Sequence, residues 1–195
     1  MSSQHLRLAL PVAADLAARI VDGLAPVCEP GYCAVVGSVR RRRPSIGDIE
    51  ILAIPKFSAG LLPDVPGVSL LELELLAWLR QGRLLRANRG EALKRYYIPS
   101  LAREGHYFKL EINVSDAERW PVELAIKTGS ANFSHRLVTP RNRLIAPGVY
   151  GLLPSHCVVR DGWQVWDRGG RIHFEDEREF IEAVCGEWLE PERRD

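Results

Sequence analysis

Apolar residues recur at helical spacing in three parts of the chain. In 11–24 they stand three or four residues apart, with a proline at the first turn and a glycine near the end, which predicts an amphipathic helix. The same spacing predicts a helix over 69–81, which Ser69 caps, and a last helix over 176–189, which Asp176 caps. Shorter helices are predicted over 117–126 and 131–137.

Short apolar runs and alternating runs predict the strands. Buried strands are predicted over 33–36 and 47–55, a strand–turn–strand unit over 83–97 with its turn at 88–90, and short strands between 142 and 173. In 107–114 every second residue is apolar, so one face of this strand is apolar and the other carries Lys109 and Glu111. The sequence thus predicts both helices and strands, and the fold class that we expect is α+β.

The segment between the first two strands carries the candidate chemistry. It begins with Gly37-Ser38, continues with four arginines at 40–43, and ends with Gly47-Asp48-Ile49-Glu50. Residues i and i+2 of a strand point to the same side, so Asp48 and Glu50 are expected side by side. Adjacent anions require a neutralising cation, and a magnesium ion, which prefers oxygen ligands, suits that role.

The composition excludes a polycationic protein and a membrane-spanning protein. The 195 residues are 46% hydrophobic and 26% charged, which is ordinary for a globular protein of one domain or two subdomains. The formal net charge of +1 means that any nucleic-acid surface must be local. Cys28 and Cys33 are too far apart in sequence for a zinc knuckle, and we expect all four cysteines to be reduced. No signal peptide or membrane-spanning run is present, which favours a cytoplasmic protein without a membrane partner. We expect a monomer.

The motif residues resemble a known family. Gly37-Ser38, the arginine pair at 40 and 41, and Gly47-Asp48-Ile49-Glu50 are similar to the palm signature of family X (polymerase beta-like) DNA polymerases, within the nucleotidyltransferase superfamily. Thr128-Gly129-Ser130 resembles the turn that opens the thumb of that family, and the tail 178–194 resembles its last helix and closing motif.

The resemblance implies a fold and a reaction. The fold would be a nucleotidyltransferase palm over 1–122, with a mixed sheet and helices on one face, followed by a small α/β thumb over 123–195. Only 36 residues precede Gly37, so the fingers and lyase domains of typical members are not expected. The reaction would be addition of a deoxynucleotide to a primer 3′-hydroxyl in short gaps or nicks, as in DNA repair. Its partners would be a DNA primer-template and a dNTP.

The resemblance also implies roles for individual residues. The catalytic and metal-binding residues would be Asp48, Glu50 and Glu111. The first two would bind both of two magnesium ions (manganese can substitute) and the third only one of them. The nucleotide-binding residues would be Gly37, Ser38, Arg41, Thr128, Gly129 and Ser130. The residues that bind nucleic acid would be Arg40, Arg42, Arg136 and Arg141.

Departures from the family pattern keep two other functions open. Glu50 and Glu111 stand where the family usually has aspartate, and Ile126-Lys127 stands where it often has two aromatic residues that help to exclude ribose. The chain could therefore transfer nucleotides without a template to RNA, a protein or a small molecule. It could also be a catalytically silent module that binds nucleotides or nucleic acid.

Overall fold

The structure is a computed structural model that describes residues 6–59, 67–86, 92–103 and 106–195. These residues form two compact units. The first contains the chain up to Val39 and from Arg43 to Ser115, and the second contains Arg40–Arg42 and Asp116–Asp195. The sequence-based boundary between 122 and 123 lies inside the first long helix of the second unit. Within the described ranges, no helix is both long and apolar enough to cross a membrane.

The first unit is built around a mixed five-stranded sheet. Its helices are α1 (Leu10–Leu24), α2 (Gly37–Arg40, whose last residue belongs to the second unit) and α3 (Leu70–Arg80). Its strands are β1 (Leu8–Ala9), β2 (Cys28–Val36), β3 (Ser45–Ile46), β4 (Asp48–Pro55), β5 (Leu85–Arg86), β6 (Leu93–Arg103) and β7 (His106–Val114). The sheet order is β2-β4-β7-β6-β5, in which only the β4–β7 pair is parallel.

The hydrophobic core of this unit lies between the sheet and two helices. Ile49 and Ile51 of β4 and Leu110 of β7 are fully buried, and they pack in one cluster with residues of α1 and α3. Because side chains alternate along a strand, the residues between them face the opposite side of the sheet, away from this core. That opposite face carries Asp48, Glu50 and Glu111.

The second unit contains three helices and a set of short strands. The helices are α4 (Trp120–Thr128), α5 (Ala131–Leu137) and α6 (Glu177–Cys185). The strands are β8 (Leu144–Ala146), β9 (Val149–Tyr150), β10 (Val158–Arg160), β11 (Gln164–Asp167) and β12 (Gly170–Ile172). A separate core contains fully buried Phe180 and Ile181 of α6 together with Ala125 of α4.

These elements confirm the α+β class and most of the predicted helices. Ser69 and Asp176 cap α3 and α6 as expected, since their side chains accept hydrogen bonds from the Glu72 and Glu179 backbone amides. The last helix is shorter than predicted because it ends at Gly186, whose φ of +86° is left-handed. The predicted turn at 88–90 lies outside the described residues.

Candidate active site

Three carboxylates lie on one face of two neighbouring strands. The parallel register places Glu50 opposite Glu111 and Asp48 opposite Lys109. Paired residues of adjacent strands point to the same side of the sheet, so all four side chains share the face opposite the core. The structure therefore places the three residues expected to be catalytic on the same face of the sheet.

The Lys109 ammonium bridges two of these carboxylates. Its Nζ lies 2.8 Å from Oδ2 of Asp48 and 3.0 Å from Oε1 of Glu111. The same Oε1 atom accepts a hydrogen bond from Nε of Arg95, 2.8 Å away on β6. A single carboxylate oxygen of Glu111, whose side chain is only 12% exposed, thus receives two cations.

These contacts shift two pKa values in opposite directions. Burial raises the pKa of Glu111, but the hydrogen bonds from Lys109 and Arg95 outweigh it and hold the pKa below its ordinary value of 4.5. Burial lowers the pKa of Lys109, but Asp48 and Glu111 outweigh it and raise the pKa above 10.5. Glu111 and Lys109 are therefore both charged in the neutral range.

The donor atoms of this face suit magnesium, which prefers oxygen ligands. Over the described ranges, however, no three His, Cys, Asp or Glu side chains converge closely enough to hold a metal ion. The Lys109 ammonium is the cation that Asp48 and Glu111 share, and it would have to swing aside for a divalent ion. A lysine side chain that is one-third exposed can make that movement. The magnesium site stays a prediction.

The missing side chain of Gly37 leaves room for the Glu50 carboxylate. Its φ of +63° is left-handed, and a Cβ atom at this position would lie 1.7 Å from Oε2 of Glu50. Only glycine can therefore hold the backbone so close to the carboxylate. The Gly-Ser turn at the end of β2 thus packs directly against one of the three acids.

Replacing Gly37 with alanine should displace the Glu50 carboxylate and destabilise the first unit. The left-handed backbone alone costs about 1–2 kcal/mol for a residue with a Cβ atom, and the collision with Glu50 adds to it. Gly31→Ala is the matched control, because Gly31 also has a left-handed φ, +83°, but no atom within 4 Å of the added Cβ. Equal losses of unfolding free energy in the two variants, measured in urea, would contradict a role for the close approach.

Replacing Lys109 with methionine should destabilise the protein in a pH-dependent way. At pH 7 we expect a loss of about 1 kcal/mol, near the low end for charged hydrogen bonds because Lys109 is partly exposed. Glu111 has a lowered pKa in the folded state, so its contribution is present above its unfolded pKa and lost as the pH falls through the folded value. Lys109 has a raised pKa, so its contribution is lost only as the pH rises through the folded value.

The difference between this variant and the parent should therefore shrink below about pH 4, as the pH falls toward the lowered pKa of Glu111. Urea unfolding at pH 3 and pH 7 measures it. Lys94→Met is the control, because Lys94 pairs with the single, 54% exposed carboxylate of Glu72. A loss that is the same at both pH values would mean that Lys109 stabilises the fold by packing alone.

The second unit holds the predicted phosphate-binding arginines. Arg40 donates two hydrogen bonds to Glu177, of 2.7 and 2.6 Å, and a further short one to Oγ1 of Thr128. Arg41 donates from Nη1 to the carbonyl oxygen of Thr128 and lies 3.5 Å from Oδ1 of Asp195. A nucleotide or nucleic acid would have to compete with these partners, and the two predicted roles stay predictions.

The turn at 128–130 joins α4 to α5. Thr128 is fully buried, and the hydroxyl of Ser130 caps α5 by accepting from the backbone amide of Phe133 at 3.1 Å. A Cβ atom on Gly129 would lie 2.7 Å from Oγ of Ser134, so glycine permits a tight turn here. The sequence-based nucleotide-binding turn thus has a clear structural role in the second unit.

The remaining predicted nucleic-acid contacts are arginines of the second unit. Arg42 is 73% exposed and lies 3.8 Å from Oε1 of Glu192. Arg136 and Arg141 donate to the carbonyl oxygens of Tyr150 and Leu152, at 3.0 and 2.7 Å. Arg141 also donates to the Val184 carbonyl, so it ties the segment after α5 to the end of α6.

Sequence reasoning missed a buried charge cluster, which we call the Glu177 cluster: Arg40, Thr128, Glu177 and Arg194. Arg194 is fully buried, and its Nη1 lies 2.6 Å from the Oε1 atom of Glu177 that also accepts from Arg40. Nε of Arg194 donates to the Leu189 carbonyl at 2.9 Å. Two features of the sequence could have pointed to this cluster. Glu177 directly follows the Asp176 cap, and Arg194 lies near the end of the chain.

Comparison with known proteins leaves the family undetermined. No protein-family model matches the chain. A search of curated proteins likewise found no match.

Proposed function

We propose that the chain is a magnesium-dependent nucleotidyltransferase that adds deoxynucleotides to a primer 3′-hydroxyl, resembling family X DNA polymerases. The observation that carries the proposal is the placement of Asp48, Glu50 and Glu111 on one face of the parallel β4–β7 pair. Carboxylate oxygens are the donor type that divalent ions prefer, and the backbone amides of a turn such as Gly37-Ser38 can bind phosphate.

The chain's own residues would have separate tasks in this reaction. Asp48 and Glu50, on one strand, and Glu111, on the next, would hold the ions. When bound, magnesium would lower the pKa of the primer hydroxyl and neutralise charge on the triphosphate. Gly37 would leave room for the Glu50 carboxylate, and Lys109 would balance the acids while the ions are absent. Ser38 and Arg41 would bind the phosphates, as the family resemblance implies.

Single-nucleotide extension tests the proposal. The protein is incubated with a primed DNA template and one dNTP or NTP at a time, in magnesium or manganese. Extension only by the complementary dNTP supports a DNA polymerase. Extension that does not depend on the template indicates a terminal transferase, and nucleotide binding without extension indicates a silent module. A primer that ends in a 3′-deoxy nucleotide is the control, because it removes the attacking hydroxyl.

A further inference from the structure

Strand β2 brings two cysteines together across a bulge. In its pairing with β4, Cys28 lies opposite Pro55 and Cys33 lies opposite Ala53. Residues 29–32 of β2 therefore stand against one residue of β4, and Gly31 in this bulge has a φ of +83°. Cys28 and Cys33 are five residues apart in sequence, but their partners on β4, Pro55 and Ala53, are only two residues apart.

The resulting spacing suits a disulfide. Ala53 and Pro55 point to the same side of the sheet, and so do their partners Cys33 and Cys28. Two residues along a strand span about 6.6 Å, which lies within the range of Cα separations that disulfides bridge, about 4.4–6.8 Å. Both cysteines pack against the core of the first unit, Cys28 fully buried and Cys33 half-buried.

The two thiols also affect each other's ionisation. The hydrogen bond from the Cys33 thiol lowers the pKa of Cys28, outweighing burial, and Lys56 lowers it further against an opposing effect of Glu29. The same hydrogen bond and burial raise the pKa of Cys33. The hydrogen bond therefore favours the negative charge on Cys28 over Cys33, an arrangement that suits thiol exchange.

We propose that Cys28 and Cys33 are a reactive dithiol that exchanges with low-molecular-weight disulfides and closes to an intramolecular disulfide. Cys28 ionises first. Cys33, the more exposed sulfur, then attacks the small disulfide while its proton passes along the hydrogen bond to Cys28, and one small thiolate leaves. That thiolate takes the proton from Cys28, which attacks the mixed disulfide at the Cys33 sulfur and releases the second small thiolate. The protein dithiol is oxidised by two electrons, the small disulfide is reduced to two thiols, and these take up the two protons.

The other two cysteines of the chain serve as an internal comparison for this dithiol. Cys157 and Cys185 lie in the second unit, and burial raises the pKa of each thiol. Reactive thiols need thiolate character, so these two should exchange slowly in the native protein. The inference does not depend on the proposed function.

Oxidised glutathione tests the dithiol in the native full-length chain. Cys28 and Cys33 share the tryptic peptide 20–40, because no lysine or arginine lies between Arg19 and Arg40. We expect this peptide to lose two hydrogen atoms and to carry no glutathione. Chymotryptic cleavage after Tyr32 should then leave the two halves joined, and two thiols per chain should remain open to alkylation.

Single variants separate the two steps. Cys28→Ala should stop at one glutathione adduct on Cys33, whereas Cys33→Ser should leave the buried Cys28 at least about tenfold less reactive. Phenylarsine oxide binds two neighbouring thiols at once and therefore tests the unmutated protein. We expect one molecule of phenylarsine oxide to bind per chain. Glutathione adducts on the native parent without ring closure, or oxidation of 28 and 33 only in urea, would overturn the proposal.

Discussion

Replacing Asp48 with asparagine should abolish primer extension while leaving the fold intact. Asparagine has the same shape but lacks the charge that would hold a divalent ion, and Asp48 is half-buried at the start of β4. Loss of groups that merely orient metal ligands typically costs 10–100-fold, so loss of a ligand itself should exceed about 100-fold. Steady-state extension rates over a range of magnesium concentrations measure the effect.

The matched control is Asp15→Asn, which removes a carboxylate that is 68% exposed and pairs with Arg19 one helical turn away in α1. It should leave extension within about twofold of the parent and stability nearly unchanged, as expected for a surface ion pair. Extension by the Asp48 variant at a rate near that of the parent would refute the assignment of the three acids. The circular dichroism spectrum excludes misfolding as the cause of any loss.

Replacing Glu177 with glutamine should produce the largest loss of stability in the second unit. The Glu177 carboxylate is only 7% exposed and pairs with both Arg40 and the fully buried Arg194. Removing one partner of a buried ion pair typically costs about 3–5 kcal/mol, because the remaining charge is left without compensation. The expected result is a fall of more than about 10 °C in the midpoint of thermal unfolding of this unit.

Glu182→Gln on the same helix is the control. Its carboxylate is 46% exposed and lies 3.3 Å from Arg178, so the change should cost less than about 0.5 kcal/mol. The double variant Glu177→Leu/Arg194→Met removes both charges from the buried position and should recover part of the loss. A Glu177→Gln variant as stable as the parent would show that the Glu177 cluster is not a source of stability.

The sequence alone predicted the helices and strands whose formation depends on the chemistry of neighbouring residues. The caps at Ser69 and Asp176 lie where short polar side chains precede apolar periodicity, and both begin helices. The alternation in 107–114 placed Glu111 on the polar face of its strand, and the register with β4 is consistent with that expectation. Each of these inferences required only the geometry of one helix or one strand.

The partners of the charged residues could not be inferred in this way. The arginine run at 40–43 was interpreted as a phosphate-binding group, yet Arg40 contacts Glu177, which is 137 residues further along the chain. No local pattern encodes such a distant pair, because it depends on how the second unit folds back on itself. Lys109 was assigned only to the polar face, and its bridge between two acids depends on strand pairing.

The parallel pairing of β4 with β7 has a consequence for the order of folding. Parallel neighbours cannot be joined by a tight hairpin, so β4 and β7 are joined by the long connection that contains α3, β5 and β6. Contacts between distant segments form late because loop closure must precede them. A nascent or partly unfolded chain therefore has no assembled acidic cluster, and divalent ions that bind this cluster would stabilise only the completed sheet.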